Sequence, residues 1–290
     1  MNPSLFCWTL LILTDVVLCR TIDLSHVIDR NSFTPSNAPT YNWTVLSRGQ
    51  SYEGVYIESG AYSVGEHVGT HIDAPAHFVK GSKTLEQLTI EDTIAEGVMI
   101  DCSEEARQDR EYQVTLEKIL DWETKHGRIP DQAAVIFNFG WSAKFGNPLE
   151  YIGDVTGNIS NIVFPSVSEA AADFLLHERD VKIIGTDTRS PDPMSLKGKP
   201  LPRPHIHTTY LPRDRLIVEN LKGTDQLPAK NFRFFANPTK FDRGTGGQVR
   251  AFAMTFDPKS AENDAPKFSA ISCLIGCLLS VLFCTYLLVF

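Results

Sequence analysis

Cysteine is scarce where a fold could use it. The 290 residues hold six, but Cys7 and Cys19 fall in an apolar leader and Cys273, Cys277 and Cys284 in an apolar tail, leaving Cys102 alone between them. One thiol excludes an internal disulfide framework, and a chain of this length buries a core without one. Cys102 has no His or Cys close by in sequence, so an inert buried thiol is expected rather than a nucleophile. Basic runs are equally missing. No Lys/Arg stretch exceeds a pair and the formal net charge is −8, which excludes nucleic acid as an expected partner and leaves a solvated acidic surface. Gly-x-Ser-x-Gly does not occur, nor does His-Glu-x-x-His, so neither a serine esterase nor a zinc protease of those types is expected. Internal repeats and low-complexity linkers are also lacking, and the 42% hydrophobic and 21% charged residues suit one globular domain.

Both ends read as processing signals. Residues 5–18, LFCWTLLILTDVVL, are too short and too N-terminal for an ordinary spanning helix, and Cys19 is a small residue at the place of cleavage. A signal peptide over 1–19 is expected, despite Asp15 inside the run and no basic residue before it; a buried first helix is the alternative. Residues 268–290 carry no charge and are long enough to cross a bilayer. They follow a polar stretch with the small residues Ser260, Ala261, Asn263 and Ala265, and no Lys or Arg comes after them. Over 259–290 this is the pattern of a GPI-attachment signal, favoured here over a retained single span. The expected location is therefore the secretory pathway and the extracellular face of the plasma membrane, or secretion. Asn42-Trp-Thr and Asn158-Ile-Ser are then glycosylation sequons, while Asn237-Pro-Thr is excluded by its proline.

Between the ends, short β-branched or aromatic runs alternate with turn signals. Strands are expected within residues 21–28, 51–60, 68–78, 97–102, 133–141, 181–188, 215–221 and 249–256. Those at 135–139 and 181–184 are apolar on both faces, as strands covered on two sides would be. Helices are expected over 114–125 and over 167–177, the second capped by Ser166, and the strand directly after it points to an α/β crossover.

The densest polar signal is His67-Val-Gly-Thr-His71-Ile-Asp73-Ala-Pro-Ala-His77-Phe. In extended chain, positions 67, 71, 73 and 77 share one face, and Val68, Ile72, Ala74 and Phe78 share the other. A helix is a poorer host, because Gly69 and Pro75 interrupt it, and Pro75 turns the strand into a loop before His77. Imidazole and carboxylate hold borderline divalent cations, and two His with one Asp leave a position open for water. Further on, Glu219 ends the apolar run 216–218, where a lone carboxylate needs a partner. Asp187 lines a pocket or caps the turn before Ser190-Pro-Asp-Pro, and the structural role is favoured. Gly244-Thr-Gly-Gly reads as a flexible loop, since no lysine or helix start follows it. His26, His126 and His177 read as packed or surface histidines.

His-x-Gly-Thr-His-x-Asp-x-Pro-x-His-Phe at residues 67–78 resembles the signature of the cyclase family, which includes bacterial-type kynurenine formamidases and isatin hydrolase. Ile22-Asp-Leu-Ser-His26, Gly185-Thr-Asp-Thr188 and the stretch from His207 to Leu221 are similar to its further motifs, so the resemblance spans about residues 21–256. It implies a single strand-rich α/β domain of the cyclase (swivelling β/β/α-like) type over 20–258. It also implies His67, His71 and Asp73 as ligands of a first ion, and His207 and Glu219, with the Asp, as ligands of a second; His205 is the runner-up to His207. The cofactor would be one or two divalent ions, zinc or manganese. His77 matches the family's catalytic histidine and would titrate near neutrality, taking a proton from a metal-activated water and passing it to the leaving nitrogen. The implied activity is hydrolysis of an amide C–N bond in a small aromatic substrate, either an arylformamide such as N-formylkynurenine or a cyclic amide. A homodimer or higher homo-oligomer is implied as well. The alternative is a cell-surface binding protein on the same scaffold, its metal site structural or vestigial; the retained His77 favours the enzyme.

Overall fold

A computed structural model of the chain describes residues 19–32 and 38–256. The compact unit is Thr21–Thr255, and Cys19, Arg20 and Phe256 are the described residues outside it. The expected leader, except Cys19, and the expected spacer and tail lie outside the described residues. Among the described residues no helix is long and apolar enough to cross a membrane.

In chain order the strands are β1 Arg20–Asp23, β2 Asn42–Gln50, β3 Tyr56–Ser63, β4 His71–Asp73, β5 Ile94–Asp101, β6 Gln113–Val114, β7 Ala134–Asn138 and β8 Ser166–Val167. They continue with β9 Ile183–Thr186, β10 Ser195–Leu196, β11 Lys199–Pro200, β12 Leu216–Glu219, β13 Phe232–Phe235, β14 Gly246–Gln248 and β15 Phe252–Thr255. The helices are α1 Ser103–Gln108, α2 Leu116–His126, α3 Pro148–Ile152, α4 Glu169–His177 and α5 His205–Tyr210. Nine strands form one mixed sheet in the order β1-β15-β13-β5-β7-β9-β12-β4-β14.

The sheet's centre, β5-β7-β9-β12, is parallel. Side chains alternate across a strand, and here that alternation sorts two cores. Val98, Val135, Ile184 and Ile217 stand in one row across the four strands and pack with Ile119 and Trp122 of α2, Leu175 of α4 and Ile206 of α5. Met99, Ile136, Ile183 and Val218 face the other way, into a core shared with Ile22, Ile72, Phe232 and Ala253. Burial on both faces explains the unbroken apolar runs read in β7 and β9. Although β1 and β12 lie far apart in strand order, Ser25 bridges Leu221, and Lys222 N–H donates to Leu24 O at 2.9 Å. The sheet curls until its two ends share one core.

Three expectations shift. The strand expected at 51–60 begins at Tyr56, because Ser51 N–H closes a turn on Val55 O, and its partner β2 gave no alternating pattern to read. Together β2 and β3 make an antiparallel hairpin with a bulge between Val45 and Ser47. The helix expected from Val167 starts at Glu169: Ser168, not Ser166, accepts from Ala171 N–H at 3.3 Å. Ser166 and Val167 pair instead with Gln113 and Val114. The extended run expected from His67 up to the loop at Pro75 is strand only at His71–Asp73. His67 sits in a turn that Gly69 makes with φ +70°, and a 3₁₀ turn carries Pro75–His77.

Candidate metal centre

Strand β4 is three residues long and buried throughout. It is clamped between β12 and β14, with Glu219 opposite His71 and Ile217 opposite Asp73, and Gln248 opposite His71. This register brings a carboxylate from late in the chain beside the His71–Asp73 pair. His67 arrives from the preceding turn, His77 from the following one, and His207 from α5. All six candidate ligand and catalytic residues therefore meet around Asp73.

The Asp73 carboxylate divides its oxygens. Oδ1 lies 2.8 Å from His67 Nδ1 and 3.4 Å from His71 Nε2, while Oδ2 lies 3.1 Å from His207 Nε2. Glu219 closes the far side, 3.4 Å from both His71 Nε2 and His207 Nε2. Each imidazole is oriented from behind. His71 Nδ1 donates to Gly69 O at 2.9 Å, and His207 Nδ1 donates to Asp192 Oδ2 at 2.6 Å. Both rings thus aim Nε2 at the carboxylates. A Cβ on Gly246 would overlap the His67 ring, and Thr245 Oγ lies 3.3 Å from His67 Nε2.

Buried carboxylates beside imidazoles call for positive charge. Burial opposes ionisation of Asp73, yet the imidazoles of His207, His67 and His71 beside it hold the carboxyl well below the usual range. Burial likewise opposes charge on His207, yet Asp192, Asp73 and Glu219 raise its pKa well above the ordinary imidazole value. A divalent cation satisfies the same field. The donor set fits one. Buried His71 Nε2 and Glu219 Oε1 have no hydrogen-bond partner among the described residues. Their 3.4 Å separations are long for hydrogen bonds but match the edge of about 3.3 Å between ligands held about 2.0 Å from a tetrahedral zinc ion. Two sets of potential ligand atoms lie within 4.8 Å of one another, His67 with Asp73 and His77, and His71 with Asp73 and Glu219. Asp73 belongs to both sets, with His67 in the first and His71 in the second.

His77 forms part of a cavity of about 400 Å³ with His67, His207 and Glu219, walled by Phe78 and Met194. Its ring stacks on His67 at 3.9 Å. Titration near neutrality was expected, but burial pushes its pKa down to about 4, helped by His67 and His207 and resisted by Asp73 and Glu219. At neutral pH the ring is an uncharged proton acceptor.

Other expectations resolve plainly. His205, the runner-up, points away to Asp173 at 2.8 Å. Asp187 does not line the cavity: fully buried, it accepts from the backbone N–H groups of Phe139 at 3.0 Å and Trp141 at 2.7 Å. The loop read at Gly244-Thr-Gly-Gly is partly strand β14, whose glycines fit against His67 and Leu85. Cys102 is buried, and burial pushes its thiol far up. His26 stacks on Phe145 at 4.0 Å, His126 tilts against Trp122 and His177 is exposed. Asp192, Asn220 and Arg189, all at the cavity, carried no signal in the sequence beyond the Pro-flanked turn around Asp192.

A curled α/β sheet that gathers a buried carboxylate among imidazoles is an arrangement fit to hold a divalent cation. The chain belongs to the Cyclase family, whose model matches residues 22–193. It is 32% identical to isatin hydrolase of Roseibium aggregatum over 201 residues, 66% of this chain and 72% of that protein. It is 22% identical to kynurenine formamidase of Salinibacter ruber over 239 residues, 79% of this chain and 95% of that one. The solved structure of isatin hydrolase A from Labrenzia aggregata bound to benzyl benzoate covers 82% of this chain and 94% of its own, at a TM-score of 0.73 and 27% identity.

Proposed function

We propose that the chain hydrolyses the amide C–N bond of a small aromatic substrate, an arylformamide such as N-formylkynurenine or a cyclic amide. The observation that carries this reading is the orphaned pair of buried ligand atoms, His71 Nε2 and Glu219 Oε1, facing the carboxylate of Asp73. One or two divalent cations, zinc or manganese, held among His67, His71, Asp73, His207 and Glu219 would supply Lewis acidity towards the carbonyl and acidify a water molecule. His77, uncharged and facing the same cavity, takes the proton of the attacking water on a ring nitrogen and returns it to the leaving nitrogen. Phe78 and Met194 offer the ring an apolar wall and exclude water from it.

Metal analysis of the purified body, coupled to hydrolysis of a panel of formanilides and lactams, tests the reading. His77→Ala should keep the metal and lose about 10²-fold or more in turnover, and Asp73→Ala should lose the metal. A fully active His77→Ala enzyme, or a body that binds neither zinc nor manganese, refutes it.

We infer further that the body is exported, glycosylated at Asn42 and Asn158, and held at the outer face of the plasma membrane by a lipid anchor. The apolar ends support this, as does the exposure of both asparagines. Release by phosphatidylinositol-specific phospholipase C tests the anchor. Assembly into a homodimer or higher homo-oligomer is supported by the β2–β3 hairpin. It exposes Trp43, Leu46, Tyr56 and Tyr62, whereas a two-stranded ribbon alone is marginally stable. A monomer by sedimentation would exclude the assembly.

A further inference from the structure

His71 can bind a cation through Nε2 only while its proton stays on Nδ1, so whatever fixes that tautomer controls the site. The acceptor is Gly69 O, only two residues back, on a turn whose glycine sits at φ +70°. A carbonyl on such a turn needs holding. The same oxygen accepts from Asn220 Nδ2 at 2.9 Å. Asn220 follows Glu219 directly, is buried, and has φ +55°. Its own carbonyl accepts from Thr70 Oγ at 2.6 Å, and its side-chain Oδ1 accepts from Tyr151 Oη at 2.7 Å. Tyr151 is fully buried in α3, on an element separate from those that carry the ligands.

The polarity of this chain of bonds is forced. Gly69 O can only accept, so Asn220 must present its NH₂ to it and turn Oδ1 towards Tyr151. Tyr151 must then donate, its one hydroxyl proton lying nearer Asn220 Oδ1 than the Asp187 carbonyl at 3.2 Å. A flipped amide would set two oxygens face to face at Gly69. A buried Asn220 that lost its Oδ1 donor would keep an unpaired acceptor, and the carbonyl it steadies would be free to turn.

We propose that Tyr151 and Asn220 are positioning residues for the metal-binding nitrogen of His71, acting through the Gly69 carbonyl. This rests on the metal reading above and extends it to residues that touch no ligand atom of the ion. His71 and Glu219 are both fixed by the relay, since Asn220 holds the turn before one and adjoins the other in the chain.

The test is zinc affinity measured by competition with a chromophoric chelator, together with thermal unfolding of the metal-free protein. Variants are Tyr151→Phe, which deletes only the hydroxyl, and Asn220→Asp, which cannot donate to Gly69 O. The control is Thr93→Val, which deletes a buried hydroxyl bonded to Ile90 O and Asn237 Oδ1, none of these residues lining the cavity. Tyr151→Phe and Asn220→Asp should each weaken zinc by 10-fold or more and change the visible spectrum of the cobalt-loaded protein. Thr93→Val should leave affinity within about 2-fold while losing comparable thermal stability. Wild-type affinity in both relay variants, or equal weakening in the control, overturns the proposal while leaving the metal reading intact. A wild-type chain that binds no zinc, manganese or cobalt removes both.

Discussion

Replacing Asp187 by alanine should destabilise the fold in a pH-dependent way that can be worked out from its surroundings. The carboxylate is fully buried and accepts from Phe139 N–H at 3.0 Å and Trp141 N–H at 2.7 Å, with Ser142 N–H longer at 3.4 Å. Removing it orphans the first two donors, at about 1–3 kcal/mol each, so roughly 4 kcal/mol together. Against that stands the burial of charge. Burial pushes the carboxyl from 3.8 up to about 6, although the three backbone donors pull it down. A shift of about two units is worth roughly 3 kcal/mol. The folded value is the higher one, so this stabilisation is complete below about pH 4 and is lost as pH rises through about 6. The gap between wild type and Asp187→Ala should therefore be about 4 kcal/mol near pH 4 and shrink towards about 1 kcal/mol at pH 7. Urea unfolding of both proteins from pH 4 to pH 8 measures it. A gap that stays constant with pH refutes the shifted carboxyl, and a gap under about 1 kcal/mol at pH 4 refutes the orphaned donors.

Asp192→Asn removes the anionic support behind His207 Nδ1 and should weaken zinc by about 10–100-fold in chelator competition; unchanged affinity would count against that support. Gly246→Ala drives a methyl into the His67 ring and should cost about 10²-fold in kcat/KM by displacing a ligand, an effect missing if the ring repacks freely. His26, held down to about 4 by burial and then by nearby Lys222, stays neutral in the fold. Its contribution is present above about pH 6.5 and fades as pH falls towards 4. His26→Phe should flatten the acid limb of the stability curve by up to about 3 kcal/mol, and an unaltered limb would show that the ring is solvated.

The centre was legible because four of its residues carry rare chemistry in a fixed spacing. Three histidines and an aspartate within eleven residues have few structural uses, whatever conformation joins them. That conformation was read only in part: the loop at Pro75 before His77 was expected, whereas His67 was expected on the strand and a turn delivers it. Parity counting cannot see a left-handed glycine at position 69. The central strands were legible from their apolar runs, since burial on both sides leaves no polar residue in β7 until Asn138. The hairpin strand β2 was not, because all its apolar residues are exposed and no core imposes a period on it. Asn220, Asp192 and Tyr151 stayed hidden for another reason. Their work is to hold backbone and rings that only the fold brings near, and nothing in their neighbours along the chain announces it.

The placement of β4 orders events during synthesis. This three-residue strand carries two of the proposed ligands, yet both strands that hydrogen-bond to it, β12 and β14, are made well over a hundred residues later. Until residue 219 has left the ribosome the first motif has neither its carboxylate partner nor a sheet to lie in. An ion held at the proposed site would then find its full set of partners only late in synthesis, so that loading would report completed folding.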